Sequence, residues 1–221
     1  MALPRIVKAV IFDMDGLLVD TERVVFEAMQ ASAQGAGEEM PFDLFKQLVG
    51  LPSHVSDGIV IEHFGEGFDV NDWRAGVAHH FQDIAAAGIA LKVGVVELLD
   101  VLDARRLPRA IATSSTRNAV DHGLGQHGLV DRFDAIISRE LQDHHKPNPD
   151  PFLKAAAAIG VDPADCLALE DSHNGVRAAA AAGMMTIMVP DLLDPTDEMH
   201  ELAVHIAEDL HEVRALLEGQ G

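Results

Sequence analysis

Two carboxylates one residue apart, Asp13 and Asp15, end the apolar run from Ile6 to Phe12, which only Lys8 breaks, and are followed by Gly16. The β-branched content of that run predicts a buried strand. Side chains alternate along a strand, so both acids project to the same side where the chain leaves the sheet. Neighbouring carboxylates repel and are unfavourable to bury alone, which calls for a cation or a shared proton. Glu170 and Asp171 close a second apolar run, Cys166 to Leu169, in the same way. Asp13 with Asp171 would form a hard, oxygen-only site of the kind that suits Mg2+, with open positions for water and a phosphate.

Two further polar segments carry the complementary groups. Lys146 stands in His144 to Asp150, a segment stiffened by Pro147 and Pro149. Its ammonium is a compact charge that can neutralise a phosphate or the carboxylate cluster. The adjacent His144 and His145 point apart on a loop and do not suggest a transition-metal pair. Ser114, Ser115 and Thr116 stand between a strand from Arg109 to Thr113 and a helix that begins near Arg117. Backbone N–H groups at a helix start are unpaired, so with these hydroxyls they can form an anion pocket. Capping of that helix by Ser115 or Thr116 would use the same residues.

The elements that must position these groups follow from periodicity. Asp20 or Thr21 can cap a helix that runs to about Ser32. Helices are expected again over Phe42 to Val49, Ser53 to Phe64 and Asn71 to Ala87, with no strand among them. This predicts a small helical bundle inserted after the acidic turn, placed to cover the carboxylates. From Gly94 onward helices alternate with short apolar strands, Arg109 to Thr113, Ala135 to Ser138, Cys166 to Leu169 and Met185 to Val189, with a last helix near Ala207 to Glu218. With the first strand this makes five, an α/β protein with a doubly wound parallel sheet whose ligand binds beyond the carboxyl ends of the strands. The expected division is a core of residues 1–16 and 89–221 and an all-helical cap of residues 17–88.

The chain of 221 residues carries 16 basic and 36 acidic side chains, a formal charge of −20, which opposes binding to a nucleic-acid backbone. A small phosphate remains a suitable ligand, because a few local donors and a metal can hold it against the global field. No apolar stretch reaches bilayer length and no leader is evident, so a cytoplasmic protein without a membrane partner is expected. With no exposed apolar helix in the pattern, a monomer is expected. The single Cys166 excludes an internal disulfide and reads as a buried, inert thiol.

Taken together, Asp13-x-Asp15-Gly16 with Asp20-Thr21-Glu22, the Ser114 turn, Lys146-Pro147-x-Pro149-Asp150 and Glu170-Asp171-Ser172 resemble the four motifs of the haloacid dehalogenase superfamily. The resemblance is to its β-phosphoglucomutase-like phosphatase branch and spans nearly the whole chain. It implies strand order 3-2-1-4-5 with the helical cap inserted between the first motif and the second strand. It also implies roles. Asp13 would attack phosphorus to form an aspartyl-phosphate, and Asp15 would protonate the leaving oxygen and later activate water. Ser114 and Lys146 would hold the phosphoryl oxygens. Mg2+ would be bound by Asp13, the Asp15 carbonyl and Asp171, with Glu170 as an additional or outer carboxylate. Gly16, Ser115, Glu22 and Arg117 are candidate substrate contacts, as are His54, Trp73 and His79 in the cap.

The resemblance also orders the possible activities. Dehalogenases of this superfamily lack the acid at the position of Asp15, and phosphonate hydrolases need a cap lysine, where only Lys46 is available. A mutase of the β-phosphoglucomutase type would have a histidine and an arginine where this chain has Val25 and Ser53. Hydrolysis of a small phosphomonoester, a sugar phosphate or similar metabolite, is therefore the leading expectation. A catalytically silent phosphometabolite-binding protein would show loss of a motif residue, and all are present.

Overall fold

The computed structural model describes residues 3–49, 51 and 53–220. The chain divides into two compact units, one of Met1–Asp20 with Ala90–Gly221 and one of Thr21–Ile89.

Among the described residues, the first unit is built on six parallel strands, β1 (Ala9–Phe12), β2 (Arg109–Ala112), β3 (Ala135–Ile137), β4 (Cys166–Glu170), β5 (Met185–Met188) and β6 (His205–Ile206), in the order β3-β2-β1-β4-β5-β6. Five of them keep the order 3-2-1-4-5, and β6 extends the edge. The sequence reading missed β6 because a half-buried pair, His205–Ile206, shows no apolar periodicity. It also began β1 at Ile6, which is apolar but 72% exposed and precedes the paired residues.

β1, β2, β4 and β5 are buried along their whole length, as parallel strands covered on both faces must be. Alternation sends Ala9, Ile11, Ala110, Ala112, Cys166 and Ala168 into one apolar cluster. There they meet Phe152, Ala155 and Ala156 of α7 (Asp150–Ile159) and Ala178 and Ala179 of α8 (His173–Ala181). The many alanines let these helices approach the sheet closely. Elsewhere in the unit, α5 (Val95–Arg105) packs on α10 (Leu210–Glu218), and Arg105 donates to the carbonyls of Leu217 and Glu218 at the negative end of α10.

The second unit consists of α1 (Thr21–Gly35), α2 (Phe42–Leu48), α3 (Ser53–Phe64) and α4 (Val70–Ala87). Its centre is Ala33, Met40, Leu44, Leu48, Val60 and Trp73. α1 and α4 meet at Gly76, where any Cβ would collide with the Ser32 hydroxyl, which itself donates to the Trp73 carbonyl. Residues 17–20, read from the sequence as part of the helical insert, group with the sheet unit instead. Leu17, Leu18 and Val19 are buried, Val19 bridges to Asp15 and Leu91, and Asp20 N–H donates to Ala90 O. The outgoing and returning chains are thus tied together at the sheet unit's surface.

Candidate active site

β1, β2 and β4 are neighbours in the sheet, so their carboxyl ends deliver Asp13, Thr113 to Ser115, and Glu170 with Asp171 to one edge. Asp13 continues the pairing of β1 by donating its N–H to Leu169 O. One carboxylate oxygen each from Asp13, Glu170 and Asp171 lies within 4.8 Å of the others, a set of hard donors that could hold a metal ion.

Lys146 arrives from the loop between β3 and α7. Its Nζ lies 2.5 Å from Asp13 Oδ1 and 2.5 Å from Glu170 Oε1, and it stands over the Phe152 ring. The Glu170 side chain is wholly buried, and its other oxygen accepts hydrogen bonds from the N–H groups of Asp171 and Ser172 and from Ser172 Oγ, at the start of α8. An anion is favoured there by the unpaired amides and the helix dipole. Gly175 completes the pocket, because a Cβ at that position would occupy the Glu170 carboxyl.

The electrostatics follow from crowding. Burial pushes the Asp13 pKa up to about 7, the neighbouring Glu170 and Asp15 charges add to this, and Lys146 opposes it. Burial lowers the Lys146 pKa, but the Asp13 and Glu170 carboxylates outweigh it and hold it above the ordinary lysine value. One ammonium shared between two carboxylates cannot neutralise both.

Asp15 is held separately. Its Oδ2 accepts from Ser115 Oγ at 2.7 Å and Thr113 Oγ1 at 3.4 Å. Ser115, read from the sequence as a substrate contact or helix cap, therefore spends its hydroxyl on Asp15. The cap of α6 (Arg117–Gly125) is Thr116, whose Oγ1 accepts from Ala119 N–H. Ser114 is exposed at the end of β2, and Gly16, in a left-handed conformation, packs on the Asp171 carboxyl.

Arg117 donates through Nε to Asp121, one turn along the exposed face of its own helix, and its backbone N–H donates to Glu140. Glu22 lies in the first turn of α1, in the helical unit. Trp73 is buried in the core of that unit, with its indole N–H donating to Met29 O, while His54 and His79 are exposed. The sequence reading missed Thr113, a buried hydroxyl inside an apolar run, and Gly175, whose spacing after Glu170 was the available signal.

A family model described as haloacid dehalogenase-like hydrolase matches residues 10–189. The chain is 36% identical over 187 residues to a Drosophila melanogaster protein named probable pseudouridine-5'-phosphatase, covering 82% of this chain and 80% of that one. It is 31% identical over 181 residues to the Escherichia coli K12 fructose-1-phosphate phosphatase YqaB, covering 81% and 94%. Among solved structures, a HAD family hydrolase from Deinococcus radiodurans R1 with bound phosphate and sodium superposes with a TM-score of 0.86 at 25% identity, covering 97% of this chain and 96% of that one. A parallel sheet with acids at two neighbouring strand ends, matched by the family model over most of the chain and similar to relatives named as phosphatases, makes this chain an enzyme of the haloacid dehalogenase-like hydrolase family.

Proposed function

We propose that this enzyme hydrolyses a small phosphomonoester, a sugar phosphate or related metabolite, through a phosphoryl group carried transiently on Asp13, with Mg2+ as its cation. The observation that carries the reading is the convergence of Asp13, Glu170 and Asp171 around one buried ammonium, that of Lys146.

Asp13 supplies the attacking carboxylate oxygen, and the bond from phosphorus to the ester oxygen breaks as the new one forms. Asp15 gives the departing oxygen a proton and then takes one from the water that cleaves the acyl phosphate. Ser115 and Thr113 fix the Asp15 carboxyl for both transfers, and Ser114 is the hydroxyl left to meet a phosphoryl oxygen. Lys146 offsets the repulsion between a carboxylate nucleophile and an anionic substrate, and Glu170 keeps Lys146 charged and in place. Asp13, Asp171 and the Asp15 carbonyl would hold Mg2+, which when bound supplies the additional positive charge that this repulsion requires.

The proposal assigns residues 21–89 the part of a cap that selects the substrate. It includes action as a cytoplasmic monomer, in keeping with one buried cysteine and no internal disulfide. Among the described residues no helix is long and apolar enough to cross a membrane. The relatives' names, pseudouridine-5'-phosphatase and fructose-1-phosphate phosphatase, point to phosphorylated sugars and ribosyl compounds as the first substrates to try.

The test is phosphate release from a panel of sugar phosphates, nucleotides and p-nitrophenyl phosphate, with Mg2+ or with EDTA. Release that needs Mg2+ and disappears in Asp13→Asn is the expected result. Release unaffected by EDTA would overturn the metal assignment, and conversion of β-glucose 1-phosphate to glucose 6-phosphate without free phosphate would make the enzyme a mutase.

A further inference from the structure

Gly16 has two carboxylates against it, and the second is unexplained by the roles above. A Cβ at Gly16 would collide with Asp171 and would lie 3.3 Å from Asp191 Oδ2. Asp191 follows β5, the strand next to β4 in the sheet, so it reaches the same edge as Asp171 from the neighbouring position. Its Oδ1 is engaged by Lys92 Nζ at 2.7 Å. Its Oδ2 is buried and meets no hydrogen-bond donor among the described residues.

A buried carboxylate oxygen without a donor is unfavourable by an amount comparable with a lost charged hydrogen bond, so such an atom calls for a proton-bearing partner. Asp171 cannot supply one as an ionised carboxylate, and a second anion beside it makes the position worse. A hydrated cation relieves both strains. Mg2+ keeps several of its waters when protein carboxylates bind it, and those waters are strong donors. Asp191 lies outside the group of Asp13, Glu170 and Asp171 whose oxygens lie within 4.8 Å of one another, so it is taken as a partner of the cation's water and not as a direct ligand.

We propose that Asp191 is a positioning residue for the divalent cation: anchored through Oδ1 by Lys92, it accepts through its buried Oδ2 a hydrogen bond from a water on that cation. The inference rests on the metal assignment made for Asp13 and Asp171 and adds a residue to it. Neither Lys92 nor Asp191 falls in the four motifs, and they are 99 positions apart in the chain.

The experiment is a titration of the metal-free full chain with Mn2+, following the free-ion signal by electron paramagnetic resonance. Asp191→Asn keeps the volume and removes the charge, and groups behind metal ligands typically change affinity by about 10–100-fold. A weakening of about tenfold or more is expected, and one below threefold overturns the proposal. Lys92→Met breaks the same ion pair but keeps the acceptor, so its loss of affinity is expected to be smaller. An equal loss in both variants would make the pair a structural brace and also overturn the proposal. Should Asp191→Asn not fold, Asp191→Ser is read by the same limits. Asp171→Asn run in parallel separates the two levels: if it too binds Mn2+ unchanged, the metal assignment itself fails, whereas loss in Asp171→Asn alone rejects only the role of Asp191.

Discussion

Lys146 Nζ sits 2.5 Å from Asp13 Oδ1 with only 6% and 10% of the two side chains exposed, so the charge of each is set by the other and by little solvent. Replacing Lys146 by Met leaves Asp13 and Glu170 buried without their shared cation. Removing one partner of a buried ion pair typically destabilises by about 3–5 kcal/mol. Lys146→Met is therefore expected to unfold at markedly lower urea in EDTA and to lose roughly 10²–10³-fold in kcat, the usual scale for one preorganised charge-stabilising group. Wild-type stability in this variant would show that the amine does not hold the carboxylates together.

Asp13 carries the opposite penalty in the metal-free protein. Its folded pKa is raised to about 7, mainly by burial, above the ordinary carboxylate value of 3.8. A raised carboxylate contributes stability that is full below the unfolded-state value and is lost as pH rises through the folded value. In EDTA, Asp13→Asn should thus gain stability relative to the parent as pH increases from about 4 to about 7, while losing all turnover. Urea unfolding of both proteins at pH 5 and pH 8 reads this directly. A stability difference that does not change between the two would contradict the raised value.

The groups most legible in the sequence were those whose positions are fixed locally. Asp13 and Asp171 follow from apolar runs that end in acids, and Lys146 from a proline-stiffened segment between a strand and a helix, because a parallel sheet sends all its strand ends to one edge. Glu170 was legible as an acid, but not as the buried partner of Lys146, since 24 residues and a whole helix separate them. The bond from Ser115 to Asp15 was not legible, because a hydroxyl before a helix looks the same whether it caps that helix or turns to a neighbouring strand end. The partners of Trp73 and Arg117, Met29 and Asp121, were not legible, because burial and helix phase select them. Asp191 lay in an irregular segment between β5 and α9 (Asp197–Leu202), where no periodicity marks a position as special.

Gly175 is the smallest change expected to disturb the site. Its absent side chain is the space that Glu170 fills, so Ala there must displace the Glu170 carboxyl or push α8 outward. Overpacking of this kind typically destabilises by about 1–3 kcal/mol. Because Glu170 in turn holds Lys146, Gly175→Ala is also expected to reduce kcat with a smaller change in KM, measured on whichever substrate the panel identifies. A Gly175→Ala enzyme with parental kcat and stability would mean that Glu170 has room to move without consequence.

Cys166 offers a check on the sheet itself. It opens β4, is completely buried between β1 and β5, and its thiol contacts Asp162 O. Burial pushes its pKa up to about 11, with the Asp165 and Asp162 charges adding to the shift. The thiolate is the reactive form, so at pH 8 the native protein should react with a disulfide-exchange reagent only as fast as the strand opens. Denaturation in urea should expose one thiol per chain and restore ordinary reactivity. Rapid modification of the native protein at pH 8 would place Cys166 at the surface, which is incompatible with β4 lying inside the sheet and therefore with Glu170 and Asp171 reaching the edge where Asp13 stands.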